Sequence, residues 1–358
     1  MTEIPSDAFY ELPIPLRDQL LAFWGKAQKA LNSSAGFSGE IVFLDNGDSV
    51  FPRLTCAKFP RRREDISPAE WAERFLREIK LQTAAHYHPN VHWPFDVIFI
   101  LGVPIAFFRR WEGDLSDFIE DPHWGDLGRL SLLIPLSAGL AHCHRRGLVH
   151  QDLKPQNIFV RDLRTTFSLP PTDLWFRPLV ADFGSVNLAA DIGVFTGSRP
   201  YMAPEQWHKT ELGEWTSVFA FGIMLHEIMS RGVHPTGERS RDWHRQINPG
   251  FNRWQKNDRW RRWVGDGCPI ARRLPDHDLA ELVAACLEPS PSHRPSLREV
   301  QATLLDLVYR RSATAAQQVH LFLNLAESQS SAEEWQHLKG RVEGLERAIN
   351  DHYARDAE

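Results

Sequence analysis

Three short runs constrain this chain more than any other feature: His150-Gln151-Asp152-Leu153-Lys154-Pro155-Gln156-Asn157, then Asp182-Phe183-Gly184, then Ala203-Pro204-Glu205. Singly, an aspartate or asparagine in a loop reads as a turn former. As an ordered set, they supply a base, a cation, an amide and a second carboxylate. That is the inventory needed to hold a phosphoryl group in line between its donor and an acceptor hydroxyl while its charge is neutralised. Asp152 is the candidate base, accepting the hydroxyl proton or orienting the hydroxyl. Lys154 is placed to neutralise the transferred group, and Asn157 and Asp182 offer the hard oxygen donors that Mg2+ prefers.

On these motifs the chain resembles the eukaryotic-type (Hanks-type) Ser/Thr protein kinase family, from about Ser34 to about Val308. The resemblance implies ATP and Mg2+ as cofactors and a protein substrate with a Ser or Thr acceptor. It also implies an α+β, two-lobed protein kinase fold: an antiparallel β-sheet amino-terminal lobe with the family's αC helix, and a mainly helical carboxy-terminal lobe. Lys154 is the form found in the Ser/Thr class. Thr196-Gly197-Ser198 through Glu205 is similar to the end of an activation segment, with Ser198 where the family places a hydroxyl that bonds the base and the lysine. Pro291-Ser292-His293-Arg294-Pro295 matches the late motif whose arginine pairs with Glu205, which predicts a buried bidentate latch. Small-molecule kinases share the aspartate and asparagine but usually lack these late motifs.

Upstream, the family requires a strand lysine paired with a helix glutamate. Leu54-Thr55-Cys56-Ala57-Lys58 reads as that strand. Ser67 as N-cap, Pro68 at the first helical position and Glu70 three residues after the cap open the helix. Trp71, Phe75 and Ile79 form its apolar stripe, so Glu78 is the expected partner of Lys58, with Glu73 as the alternative. Ser34-Ala35-Gly36-Phe37-Ser38-Gly39-Glu40-Ile41 is similar to the family's glycine loop with serine at the first glycine. Gly36 and Gly39 permit close backbone approach to phosphates. An Asp45–Asp48 turn follows. By resemblance, adenine packs against Ile41 and Ala57 on one side and Phe159 on the other. Val97–Ile100 and Ile105–Phe108 read as a buried hairpin joined by a Leu101–Pro104 turn. It leads to Phe108 at the gatekeeper position, Arg109 and Trp111 in the hinge, and Asp114 within reach of ribose. Arg109 and Arg110 read as solvated charges at a strand end.

Four positions depart from the family. Ser34 replaces a glycine. Gln151 stands where an arginine would bind a phosphorylated loop, which implies activity without activation-loop phosphorylation. Ser217 replaces an aspartate that accepts backbone hydrogen bonds from the catalytic loop, leaving that loop less firmly held. Gln82 falls where an apolar residue is common. These departures keep open a second class, an ATP-binding pseudokinase scaffold or partner-activated kinase acting through its terminal helices.

A length of 358 residues with 42% hydrophobic content suffices for two lobes plus extensions. The organisation expected is a helical extension over residues 1–30, a kinase domain over 31–310 (amino-terminal lobe about 31–111, carboxy-terminal lobe about 112–310), and a helical extension over 311–358. Leu16, Leu20, Phe23, Trp24, Ala27 and Leu31 space as one helix on the first lobe, and Leu130 to His144 as the long helix before the catalytic loop. The stretch between Asn157 and Asp182, with Pro170, Pro171 and Trp175, reads as a surface excursion of a strand pair. A net charge of -5 offers no basic field for nucleic acid. No secretory leader and no membrane-spanning run is legible, and four cysteines without metal or redox spacing suit a reducing cytoplasm. Trp243, Trp254, Trp260 and Trp263 lie among arginines over 241–263; a lower-lobe helix with core tryptophans is favoured over substrate docking or nucleic acid. His142, His144 and His150 are not spaced as metal ligands. Trp335, Leu338, Val342, Leu345 and Ile349 alternate by three and four. That seam over 331–353 either folds back on the lower lobe or serves self-association or partner binding.

Overall fold

The computed structural model describes residues 8–35, 39–50, 52–163, 174, 176–188, 197–239, 259–328 and 332–355. The chain divides into two compact units. The first takes in the chain up to Tyr87, Trp93–Trp111 and the final helix; the second takes in His88–His92 and everything from Glu112 to the end of the preceding helix.

The first unit is built on a five-stranded antiparallel sheet: β1 (Lys29–Ala35), β2 (Glu40–Asp45), β3 (Leu54–Phe59), β4 (Asp96–Ile100) and β5 (Val103–Arg109), in the order β1-β2-β3-β5-β4. The connection after β2 is longer than the expected Asp45–Asp48 turn, because Asp45 pairs with Leu54; within it the Asp45 carboxylate accepts the Gly47 N–H at 3.0 Å, and Gly47 has φ +93°. The β4–β5 turn is tighter than the sequence predicts. It is the two residues Leu101 and Gly102, both at positive φ, so Pro104 lies inside β5 opposite Phe99. Proline is tolerated there because β3 pairs with β5 only from Ala106 onward, and no ladder bond is asked of residue 104 on that side.

Two short helices, α1 (Ala8–Glu11) and α2 (Ile14–Trp24), precede the sheet. The expected single helix through Leu31 is corrected. Gly25 caps α2, Lys26 turns to φ +55°, and residues 29–35 pair with β2 as a strand. A Cβ on Gly25 would lie 2.7 Å from Leu44 and 3.0 Å from Phe107, so glycine is what allows the turn to press on the sheet. The buried face of α2 is Leu21 and Ala22; Leu16, Phe23 and Trp24 are exposed. Helix α3 (Pro68–Ala84) begins as its sequence predicts, with Ser67 Oγ accepting the Glu70 N–H at 3.2 Å, and buries Trp71, Phe75, Glu78 and Ile79 along one stripe.

The second unit carries β6 (Gly113–Asp114), α4 (Leu115–Ile119), α5 (Asp126–Arg145), β7 (Leu148–His150), β8 (Ile158–Asp162), β9 (Phe176–Val180), β10 (Val186–Leu188), α6 (Pro204–His208), α7 (Glu214–Met229), α8 (Arg259–Gly265), α9 (His277–Cys286), α10 (Leu297–Arg311) and α11 (Ala313–Ser328). Strands β6, β8 and β9 form one small sheet and β7 with β10 another. Helix α7 is buried all round from Thr216 to Ile228, the mark of a core helix. Arg129 on α5 is buried as well. Its guanidinium donates to the carbonyls of Trp124 (2.8 Å), Ile119 (2.5 Å), Asp121 (2.5 Å) and Ile228 (3.1 Å), satisfying chain ends that would otherwise lack partners. Strands β8 and β9 are the expected strand pair; Pro170, Pro171 and Trp175 lie outside the described residues. Trp260 and Trp263 of α8 are buried against His234, as the core reading of that segment anticipates, while Trp243 and Trp254 are outside the described residues.

The last helix, α12 (Ala332–Arg355), belongs to the first unit. Trp335, Leu338, Val342, Leu345 and Ile349 are all buried, in one cluster with Trp71, Phe75, Ile79, Val97 and Ile100. Lys80 of α3 pairs with Glu346 at 2.5 Å, Arg341 with Asp96 of β4 at 2.7 Å, and Tyr353 donates to the Gly102 carbonyl at 2.7 Å. The seam packs within the first unit, not as a fold-back belonging to the second. It covers α3 and the edge strand β4, whose apolar flanks would otherwise face water.

Candidate active site

In the first unit, β3 pairs Lys58 with Ile41 on one side and Ala106 on the other. Glu78 lies three residues after Phe75 and seven after Trp71, on the buried stripe of α3, and its carboxylate accepts from Lys58 Nζ at 2.5 Å. Glu73 is exposed, so the alternative pairing is not made. Gln82, one turn on, is buried. Gly36 lies outside the described residues. At Gly39 a Cβ would fall 2.6 Å from the Phe59 carbonyl and 3.4 Å from Lys58 Cε, so β3 itself demands glycine there. Ala57 and Phe108 are buried and Ile41 is half-buried. Arg109 ends β5 half-buried, and Trp111 follows, also half-buried. Arg110 is more than a solvated charge: its guanidinium lies 4.2 Å from the Phe43 ring centroid, while its backbone N–H donates to the Leu54 carbonyl.

In the second unit, the loop after β7 gathers the residues that the motif predicts. Lys154 Nζ donates to Asp152 Oδ2 at 2.6 Å and to Ser198 Oγ at 2.8 Å. Asp152 Oδ1 accepts the backbone N–H of Ser198 at 2.5 Å, so this serine meets the aspartate through its main chain and the lysine through its hydroxyl. Asn157 Nδ2 donates to the Asp152 carbonyl at 2.7 Å, which turns the amide oxygen to the other side. His150 is buried and its Nε2 lies 2.9 Å from the Ala181 carbonyl; an oxygen that only accepts makes that nitrogen the donor. Burial lowers the pKa of His150, keeping the ring neutral. Its ring stands edge-on to Phe183 at 5.9 Å. Asp182 holds φ +58°, a conformation costly for a residue with a Cβ and characteristic of functional sites. Phe159 stands edge-on to His92 at 4.9 Å. Asp114 caps α4, accepting the Ser116 N–H at 2.9 Å, a structural use that its sequence context does not announce.

Among the described residues no cluster of three or more histidine, cysteine or carboxylate side chains could hold a metal alone. Asn157 and Asp182 fit a magnesium ion only as two oxygen donors completed by phosphate oxygens and water, the usual habit of that ion. The His142 and His88 rings lie tilted against each other, with centroids 4.6 Å apart.

Three further contacts tie the segments of this unit together. Arg294 Nη1 and Nη2 donate to the two Glu205 oxygens at 2.8 and 3.0 Å, the buried bidentate latch expected. Ser217 Oγ lies 3.0 Å from His144 Nε2, and burial lowers the His144 pKa to about 4. The serine that stands for an aspartate is therefore paired with a neutral imidazole from the end of α5. Gln206 Nε2 donates to the Gln151 carbonyl at 2.8 Å, next to Asp152. Sequence spacing gave no signal for His144 or Gln206, because both contacts join distant segments. Ser185 closes a short turn after Phe183, and Thr196 lies outside the described residues.

An antiparallel five-stranded sheet with a lysine–glutamate pair, and a helical unit with the aspartate, lysine, asparagine and Glu–Arg latch, define the two-lobed protein kinase fold. A family model described as the protein kinase domain matches residues 53–304. The chain belongs to the protein kinase family. It is similar to serine/threonine-protein kinase pkn2 of Myxococcus xanthus, at 30% identity over 45% of this chain and 19% of that protein. It is similar to serine/threonine-protein kinase/endoribonuclease IRE1 of Hypocrea jecorina, at 26% identity over 75% of this chain and 23% of that protein. The mouse dual specificity testis-specific protein kinase 2 matches at 27% identity over 51% of this chain and 29% of that protein. The chain thus spans less than a third of the length of each of these relatives. Among the described residues no helix is long and apolar enough to cross a membrane.

Proposed function

We propose that the chain transfers the γ-phosphate of Mg-ATP to serine or threonine hydroxyls of a protein, itself included. The observation that carries this reading is the triangle of Asp152, Lys154 and Ser198. A carboxylate able to orient a hydroxyl is held by the lysine that would neutralise the incoming phosphate. When bound, Mg-ATP supplies the activated phosphoryl group. The protein orients the acceptor through Asp152, offers Lys154 and Lys58 as phosphate cations, and keeps Lys58 in place through Glu78. Asn157 and Asp182 are the proposed metal ligands. Gly36, Gly39, Ile41, Ala57, Phe108, Arg109, Trp111, Asp114 and Phe159 are the proposed nucleotide contacts. Lys154, the Ser/Thr-class residue, supports the choice of hydroxyl. Four free, buried cysteines support a cytoplasmic setting.

Gln151 carries no charge with which to bind a phosphorylated loop, so transfer should not require one; Thr196→Ala and Ser185→Ala variants should keep most of the activity. The test of the whole reading is label transfer from Mg-ATP to the chain and to a generic basic protein, beside Asp152→Asn. Label that vanishes in the variant supports the enzyme. Tight ATP binding without transfer would replace it with a nucleotide-binding scaffold.

A further inference from the structure

We propose that Gln206 is a positioning residue for the transfer reaction: a clasp that fixes Asp152 by tying the catalytic loop to the end of the activation segment without a phosphate. The inference rests on the kinase reading and deepens it by naming what holds the loop in place.

Gln206 is the third residue of α6, and its side chain is buried. Its Oε1 accepts the N–H of Ala203 at 2.9 Å, reaching back over the first turn of the helix. That bond decides which way the amide faces, because a flipped amide would set N–H against N–H. Nε2 is thereby aimed at the Gln151 carbonyl, 2.8 Å away, on the residue before Asp152. From the far side the loop is held by Asn157 Nδ2 on the Asp152 carbonyl. Asp152 therefore sits between two anchors on consecutive carbonyls, one local and one from the Ala-Pro-Glu turn.

Glycine 197 marks how closely the activation segment passes this junction. Its φ is +136°, and a Cβ would meet the Gln151 carbonyl at 2.6 Å and Gln206 Nε2 at 3.1 Å. The next residue, Ser198, bonds both Asp152 and Lys154. One amide thus links the passage of the segment to the geometry of the base. In the family pattern a charged aspartate at 217 holds the loop; here Ser217 is engaged with His144 and the clasp comes from residue 206. The amide suits this task because it offers an acceptor at one end and a donor at the other. A carboxylate would turn an oxygen toward the Gln151 carbonyl.

The experiment uses the 358-residue chain with Gln206→Met, which keeps the side-chain length and removes both bonds, and Gln206→Glu, which keeps only the acceptor. We expect kcat to fall about tenfold or more in both, with KM for ATP within about twofold of the parent. In the Asp152→Asn background, Gln206→Met should change the residual rate by less than about twofold, because the residue it positions is already gone. A clasp that merely stabilises the fold would lower the melting temperature and leave kcat per folded molecule unchanged. That outcome, or a full tenfold loss persisting in the Asp152→Asn background, overturns the proposal. Amide exchange decides the case independently of activity: the Ser198 N–H should exchange about tenfold faster in Gln206→Met, while the Leu297 N–H, held by Glu214 at 2.8 Å, should not change. Unchanged exchange at Ser198 would also overturn it. A parent chain that transfers no label but shows this exchange difference would refute the kinase reading and leave the clasp standing.

Discussion

Replacing Glu205 with glutamine should be among the most damaging single-atom-scale changes available to this protein. All five N–H groups of Arg294 are matched: Nε to the Glu288 carbonyl at 2.7 Å, Nη1 to Glu205 and the Trp215 carbonyl at 3.0 Å, and Nη2 to Glu205 and the Pro289 carbonyl at 3.1 Å. The guanidinium also lies 4.8 Å from the Phe219 ring centroid. The side chains of the pair are 0% and 2% exposed, so solvent screens neither charge. In Glu205→Gln the arginine remains charged, buried and enclosed by carbonyl dipoles alone, with one N–H facing an amide N–H. Removing one partner of a buried pair costs about 3–5 kcal/mol, and the retained amide oxygen places this variant near the lower end. Arg294→Met should cost as much by stranding the carboxylate. The double variant should cost less than the sum, with a coupling of about 2 kcal/mol, because neither charge is then left alone. Chemical denaturation of the four proteins, following the transition of the second unit, measures each quantity. Single losses below about 1 kcal/mol, or additive ones, would refute the view that the latch works through mutual charge compensation.

Helix α12 should brace α3: Leu338→Ala and Leu345→Ala should each cost the first unit about 2–5 kcal/mol and raise amide exchange along α3, whereas Glu346→Lys on the exposed pair with Lys80 should cost under about 1 kcal/mol. Burial holds the pKa of His88 at about 3, of His144 at about 4 and of His234 at about 3, all below the ordinary value near 6.5. The unfolded chain therefore binds protons that the folded chain refuses, and stability should fall as pH drops from about 6.5 toward 4, by about 1.4 kcal/mol per pH unit for each proton. In pH-dependent denaturation, His144→Gln should make that slope shallower by one proton; an unchanged slope would mean His144 is accessible. Burial pushes the thiols of Cys56, Cys143, Cys268 and Cys286 up to about 12, so iodoacetamide at pH 8 should label none of them until denaturant is added, as read by mass spectrometry.

Residues whose partners are near in sequence, or whose chemistry is specific to one role, were legible before any fold was known. Ser67, Pro68 and Glu70 announce the start of α3 because capping is local. Glu78 follows from the 3.6-residue stripe, since only that glutamate shares the face of Trp71 and Phe75. Asp152, Lys154 and Asn157 lie within six residues, and their mutual bonds follow from one tight loop. The amino-terminal helix misled because periodicity alone carried the reading from Leu16 to Leu31; the glycine at 25 and the pairing of residues 29–35 with β2 outweighed it.

Motif chemistry in the sequence therefore determined the family and the Glu205–Arg294 latch, and it is what points to the proposed base and metal-donor pair, because those residue types at those spacings suit the reaction and charge burial. Tertiary structure alone decided where the seam of α12 is spent, what accepts from or donates to Ser217, and which side chain holds the Gln151 carbonyl. Each of those depends on surfaces that meet only after folding: an uncovered helix and edge strand for α12, a histidine 73 positions away for Ser217, a glutamine 55 positions away for the catalytic loop. A hydrogen bond or an apolar contact between remote segments leaves no periodicity and no spacing in the chain; it exists as a preference of the packed state and can be read only there.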